Sequence, residues 1–390
     1  MKLDVLFFRI FVILLPLFGC GCTLGPKLLE NGYLSYNDRV RATTDEELLL
    51  NIVRLRYLDT IEFLAINSIS AQASFNVSLG AEVSTSDSGA SLALPELSYS
   101  DRPTFSFTPQ RGTEFAKRLV EPIQVNTLAY LAASDWPIKI LLQLLVKEIN
   151  GTINESHGHI ASFNKIAFEL GKMQNANELL IAFTKYDEAI SEPIDKNLIK
   201  PSDLISAAKA GYSFIPDDDG QHMRLSEPMP QPIVWLRTAP PAAKQIRQKL
   251  RLGYDTEGPI ELHAGAKSRI NSSTFNHIHM RTRSVLGAIV YLAQGVTPPQ
   301  SHLDSNLTLK SWPFPGQQNS EMDQIFNVRT AASRPQASLA VQYRGNWFYI
   351  DETDLTSKAT FLVLSEIYRL ALISSEQNQA PLLTLPLGGS

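Results

Sequence analysis

Two His-x-His pairs, His157–His159 and His277–His279, are the first candidates for chemistry in this chain. On a strand, residues i and i+2 face the same way, so such a pair could share one metal ion. A site also needs a third or fourth ligand, and there is no H-E-x-x-H run and no cysteine cluster to supply one. Neither pair lies in a segment that reads as a strand. Both are expected to be ordinary polar histidines, and no metal ligand is assigned.

Three other groups are weighed the same way. Asp217-Asp218-Asp219-Gly220 is acidic and turn-forming, but it lacks the alternate spacing and the position-12 glutamate of a calcium loop, so it reads as a solvated turn. Asp351, Glu352 and Asp354 could do acid–base work if burial drove their pKa values apart. They precede a helix, so capping by Thr353 or Asp354 is the expected role, with the other charges favouring the positive helix end. Trp347, Phe348 and Tyr349, with Trp312 and Phe314, could form an aromatic surface for a glycan or peptide. The alternation of Trp347 and Tyr349 reads better as a buried strand face packed on the final helix. No G-x-S-x-G, phosphate loop or dinucleotide fingerprint is present, so no catalytic residue and no cofactor is assigned.

The remaining chemistry is at the start of the chain. Lys2 and Arg9 precede the apolar run Ile10–Leu15, and small residues and cysteine follow, in the order of a secretory signal. The run is too short for a transmembrane helix, which needs about 20 apolar residues. Leu17-Phe18-Gly19-Cys20 resembles the bacterial lipobox, which implies acylation at Cys20 after removal of residues 1–19. Cys22 fits that pattern worse, because Gly19 would then occupy the −3 position. Two or more acyl chains give stable anchoring where one is marginal. Gly21 after Cys20, in place of aspartate, favours export to the outer membrane in enterobacterial-type sorting.

Composition narrows the partners. Removal of residues 1–19 takes away Lys2, Arg9 and Asp4 and leaves 33 basic against 38 acidic side chains. With no basic stripe to neutralise phosphates, nucleic acid is not an expected partner. Cys20 and Cys22 are the only cysteines, so no disulfide framework is expected.

The elements that must carry these groups read as follows. A tether over 20–37 leads to a helix capped by Thr44, with Leu48, Ile52 and Leu55 at helical spacing. From Ala71 to Val83 the period changes to two: Ala71, Ala73, Phe75, Val77, Leu79, Ala81 and Val83 alternate with polar residues. A turn-rich stretch and a return strand interrupted by Pro95 and Pro103 complete a long hairpin over 66–108. That apolar row is the candidate membrane or assembly face. Helices fill 111–150, including Ile138 to Gly151, and two more are expected within 160–186. Strands are expected at 212–215, 222–225 and 233–237, then a helix closed by Gly253. The last third repeats the order: a helix in "RTRSVLGAIVYLAQGV", strands around "ASLAVQYR" and "NWFYI", and a long helix with Leu362, Ile367 and Leu370 on its core face. "LLTLPL" reads as a last strand. The expected fold class is α+β, with helices packed on small antiparallel sheets and one long protruding β-hairpin. The divisions are 1–19, 20–37, 38–150, 151–253 and 254–390.

"NIVRLRYLDTIEFLAINSI", "RSVLGAIVYLAQGV", "YRGNWFYIDETDLTSKATFLVL" and "APLLTLPLG" together resemble an uncharacterised family of proteobacterial outer-membrane lipoproteins. The resemblance covers most of residues 30–388 and carries no catalytic residues. It supports the lipoprotein reading and leaves the activity open; the function expected of the chain is that of a lipid-anchored, non-enzymatic subunit or partner in a cell-envelope assembly, working as a homo-oligomer or with another protein. An oligomeric pore built from the hairpin is one form of this. A periplasm-facing binding module for glycan, peptidoglycan or lipid is the alternative.

Overall fold

The computed structural model describes residues 24–78, 96–109, 113–154, 160–217, 219–253, 258–265, 276–309, 325–373 and 383–386. Ten α-helices and three sheets occur among them, and the class is α+β.

Helix α1 (Leu24–Arg56) starts well before Thr44. Thr44 is an interior residue whose hydroxyl donates to the Val40 carbonyl one turn back, and the stretch expected as a tether is helical from Leu24 onward. Of the apolar row read from the sequence, Leu48 and Ile52 are buried and Leu55 is half-buried, with Leu49 and Val53 buried beside them.

Strand β1 (Leu64–Ser78) pairs antiparallel with β2 (Glu96–Pro109), with a register irregularity between Ile66 and Ser68. Ala71, Ala73, Phe75 and Val77 pair with Pro103, Asp101, Tyr99 and Leu97. Strand β2 runs through Pro103 and is not broken there. Strand β14 (Leu383–Pro386) pairs with β2 over Thr104–Phe107, so among the described residues Pro103 has one neighbouring strand, β1. Proline is tolerated on strands with one paired edge.

Helices α2 (Thr113–Val120), α3 (Val125–Ala133) and α4 (Ile138–Leu145) follow. The helix expected to reach Gly151 stops at Leu145, and Val146–Ile149 form strand β3. Arg283 explains the stop. Its buried guanidinium donates to the carbonyls of Gln143, Leu144, Val146 and Asn154 and lies 3.8 Å over the Tyr291 ring. The last carbonyls of α4 thus find a side-chain donor in place of a further helical turn.

Residues expected as two helices over 160–186 are one helix, α5 (Ile160–Asn175), and one strand, β5 (Leu179–Ala189). Tertiary pairing overrides the local pattern: β5 matches β8 (His222–Leu236) over eleven residues, from Leu179↔Leu236 to Ala189↔Ser226. The two short strands expected at 222–225 and 233–237 are parts of this one strand. Between β5 and β8 in sequence come β6 (Ile194–Asp195), α6 (Pro201–Lys209) and β7 (Ser213–Pro216). Helix α7 (Pro240–Lys249) leads to β9 (Ile260–Ala264) and β10 (His277–Thr282).

The large sheet has eight strands. Its path is β4 (Thr152–Ile153), β3, β10, β9, β8, β5, and β6 and β7 also pair with β8. It is larger than the small sheets expected, and β9 and β10 run parallel. Pairing of β3 with β10 and of β8 with β9 crosses the divisions expected at 150 and 253. Helix α3 lies against β5, β8 and β9, and α5 against β4 and β5. The helix-facing residues Ile260, Leu262, Ile278 and Met280 are buried.

Helix α8 (Val285–Leu292) is capped by Ser284, whose hydroxyl accepts from Gly287 N–H. Beyond it Gly295 touches Phe326, and a Cβ there would collide with the Phe326 carbonyl oxygen. Helix α9 (Gln300–Asp304) follows, then a three-stranded sheet of β11 (Arg329–Ala331), β12 (Ala340–Tyr343) and β13 (Asn346–Tyr349). Tyr343 pairs with Asn346 across Arg344-Gly345, both at positive φ, as a two-residue hairpin turn requires. The last helix is α10 (Leu355–Ile373). Ile367 is in the core as expected, whereas Leu362 and Leu370 are 52% and 51% exposed. The buried stripe is Phe361, Val363, Leu364, Ile367 and Tyr368.

Candidate functional site

The acylation candidate Cys20 lies outside the described residues, as do Leu79, Ala81 and Val83 of the alternating row. Ala71, Ala73, Phe75 and Val77 fall on β1 in the register given above. Among the described residues β1 is paired along one edge only, since the order of its sheet is β1-β2-β14. No helix of the described residues is long and apolar enough to cross a membrane.

The second candidate is on the large sheet. Parallel pairing of β9 with β10 sets His277 opposite Glu261 and His279 opposite His263. The two strands read I-E-L-H and H-I-H-M, and both alternate. Their apolar members face the helices, so the three histidines and Glu261 share the other face. His263 Nε2 is 3.0 Å from Glu261 Oε2 and 3.0 Å from His277 Nδ1. His277 Nδ1 is 3.1 Å from the same Glu261 oxygen. The His279 ring stacks on His263, with centroids 5.5 Å apart. The sequence reading expected no strand here and therefore no convergence of histidines. His277 and His279 are on a strand, and the missing neighbours are Glu261 and His263. His157 and His159 lie outside the described residues.

Polar ties hold this face in place. Asn150, itself buried, donates through its amide to the Leu250 carbonyl, while its side-chain oxygen accepts from His279 N–H. Its backbone N–H donates to the His279 carbonyl. Asn276 ties the start of β10 to the start of β9. Its side chain donates to the Pro259 carbonyl and accepts from Arg247, and its carbonyl accepts from Glu261 N–H. Glu148 and Arg281 form an ion pair at 2.8 Å on the neighbouring strands.

Of the other sequence candidates, Asp218, Trp312 and Phe314 lie outside the described residues, and the acidic groups that are described take structural roles. Asp217 binds Arg224, and Asp219 caps the turn through the backbone N–H groups of Gln221 and His222. Those hydrogen bonds hold the Asp219 carboxyl at about 2. Asp354 caps α10 by accepting from Ser357 N–H. Thr353 and Arg329 hold Asp351 ionised, and Lys358 and Ser338 hold Glu352 at about 2. On β13 the buried residue is Phe348, with Trp347 and Tyr349 half-buried, the reverse of the expected face.

A cleft between α1 and the small sheet is lined by Glu47, Arg54, Arg334, Gln342 and Trp347, among others. Burial pushes the Glu47 carboxyl up to about 7, against the lowering effect of the Leu64 N–H and of Arg54.

No protein-family model, no curated protein and no solved structure matches this chain.

Proposed function

We propose that this protein is an outer-membrane-anchored lipoprotein that serves as a non-enzymatic subunit or partner in a cell-envelope assembly, held by acyl chains on Cys20. The observation that carries the assembly reading is strand β1, fifteen residues long and paired along one edge only among the described residues. A long strand with an open edge is a template for pairing with another chain. The alternation from Ala71 to Val83 supports a strand with one apolar face. A membrane-spanning strand needs about 9–11 residues, so a pore is the form this assembly takes if several subunits contribute strands to one closed barrel. A lone hairpin cannot span, because its edges would leave backbone groups unpaired in hydrocarbon.

Cys20→Ala should leave the protein without acyl groups and with residues 1–19 still attached, as intact mass would show. Val77→Arg with Leu79→Arg should abolish the assembly while leaving anchoring intact. A wild-type protein that is acylated yet monomeric would reject the assembly reading. The cleft beside Trp347, where Arg334 sits 5.2 Å over the indole ring, supports the alternative of a binding module for glycan, peptidoglycan or lipid. Saturable binding of a peptidoglycan fragment, lost in Trp347→Ala, would support that reading instead.

A further inference from the structure

We propose that Glu261, His263 and His277 form a binding site for one divalent transition-metal ion of the zinc class. Neither Cys20 nor the hairpin enters this inference, so it stands apart from the anchoring and assembly reading.

The first support is the donor set. Two imidazole nitrogens and one carboxylate oxygen suit zinc, cobalt or nickel, whereas calcium and magnesium prefer all-oxygen shells. The second is distance. The three donor atoms form a triangle with edges of 3.0, 3.0 and 3.1 Å. Ligands about 2.0–2.1 Å from a tetrahedral zinc lie about 3.3–3.4 Å apart. The triangle needs to open by only a few tenths of an ångström, which side-chain torsions supply without moving the strands.

The third support is the way the donors are held. Glu261 and His263 are two apart on β9, and His277 is directly opposite Glu261 on β10. The opposite faces of both strands are buried against the helices. Asn150 and Asn276 fix the backbone on either side of His277. Donors mounted on paired strands and backed by buried polar ties are more closely positioned than donors on loops. The fourth support is access. The side chains of His263, His277 and Glu261 are 35%, 32% and 40% exposed. Three protein ligands at a half-open surface leave a fourth position for water. His279 stacks on His263 and is a positioning residue.

The test uses the full chain purified in detergent and stripped with chelator, with cobalt as the probe. One cobalt per chain should bind and give the intense visible bands of a tetrahedral ion. One equivalent of zinc should displace it. Binding should weaken on acidification, because protons compete for the imidazoles. His263→Ala and His277→Ala should each weaken cobalt binding by about 100-fold or more. Glu261→Gln keeps the shape of the side chain, so the loss of affinity it should also show is separable from misfolding. His222→Ala, at the far end of β8, should bind as the wild type does. No saturable cobalt uptake by the folded chain would reduce the cluster to a hydrogen-bonded triad and overturn the proposal. Uptake unchanged by all three ligand substitutions would place the metal elsewhere and overturn it equally.

Discussion

Arg344 donates to the Asp59 carboxylate at 2.9 Å, joining positions 285 apart in the sequence. The Tyr343 hydroxyl reaches the same carboxylate, and Tyr57, two residues before Asp59, places its hydroxyl 2.7 Å from His302 Nδ1. Asn346 approaches the other nitrogen of His302 at 3.2 Å. The segments "NIVRLRYLD" and "YRGNWFYID", which stand out in the sequence, are therefore two halves of one clamp between the residues just after α1 and the β12–β13 hairpin. The Arg344–Asp59 pair is partly exposed, and exposed pairs contribute about 0–1 kcal/mol. The buried members carry more.

Tyr57→Phe tests the clamp. Tyr57 is buried, and burial pushes its phenol up to about 12, so it stays a neutral hydrogen-bonding group. Removing the hydroxyl leaves buried His302 without that partner, at a cost of about 1–3 kcal/mol. Urea denaturation should show that loss, and an unchanged midpoint would mean the bond contributes nothing net.

Arg283→Met tests what ends α4. The substitution keeps an unbranched apolar stem and removes the donor shared by four buried carbonyls. The expected cost is about 3 kcal/mol or more. Arg283→Lys should recover only part of it, since one ammonium cannot span the four acceptors. Equal melting temperatures for Met and Arg at this position would contradict the role.

Glu47 makes stability depend on pH. Its folded pKa, about 7, lies above the unfolded value of 4.5. The folded state therefore holds the proton more tightly. Stability from this group is greatest below the unfolded value and is lost as pH rises through the folded one. Thermal melts of the wild type should weaken between about pH 4.5 and pH 7. Glu47→Gln keeps an acceptor for Leu64 N–H and should flatten that slope. A slope identical in wild type and variant would assign it to other groups.

The buried stripe of α10 separates two leucines two residues apart. Leu364→Ala should cost about 2–5 kcal/mol, because Leu364 is fully buried. Leu362→Ala should stay within about 0.5 kcal/mol. Chemical denaturation of the pair measures both, and a larger loss at Leu362 would invert the face described.

Helix α10 shows how far the sequence could be read. Its existence was legible from spacing, and its cap was narrowed by residue type to Thr353 or Asp354, of which Asp354 accepts from Ser357 N–H. Its buried face was not, because apolar residues surround the helix and both Leu362 and Leu364 fit a core stripe. Val146–Ile149 and Leu179–Ala189 were read as helix because local pattern cannot see Arg283 or β8, which decide those segments from far away in the chain. The histidine face was half legible. His277 and His279 stood out, but Glu261 and His263 join them only through the β9–β10 pairing. The signal that could have found it was the matching alternation of "IELH" and "HIHM", each with apolar residues at every second position.

Native mass spectrometry of the full-length protein extracted from membranes in mild detergent tests the central claim most directly. The account predicts a chain that begins at Cys20, carries the mass of its acyl groups, and travels as an oligomer or with a partner. A monomer with an unmodified Cys20 would contradict it.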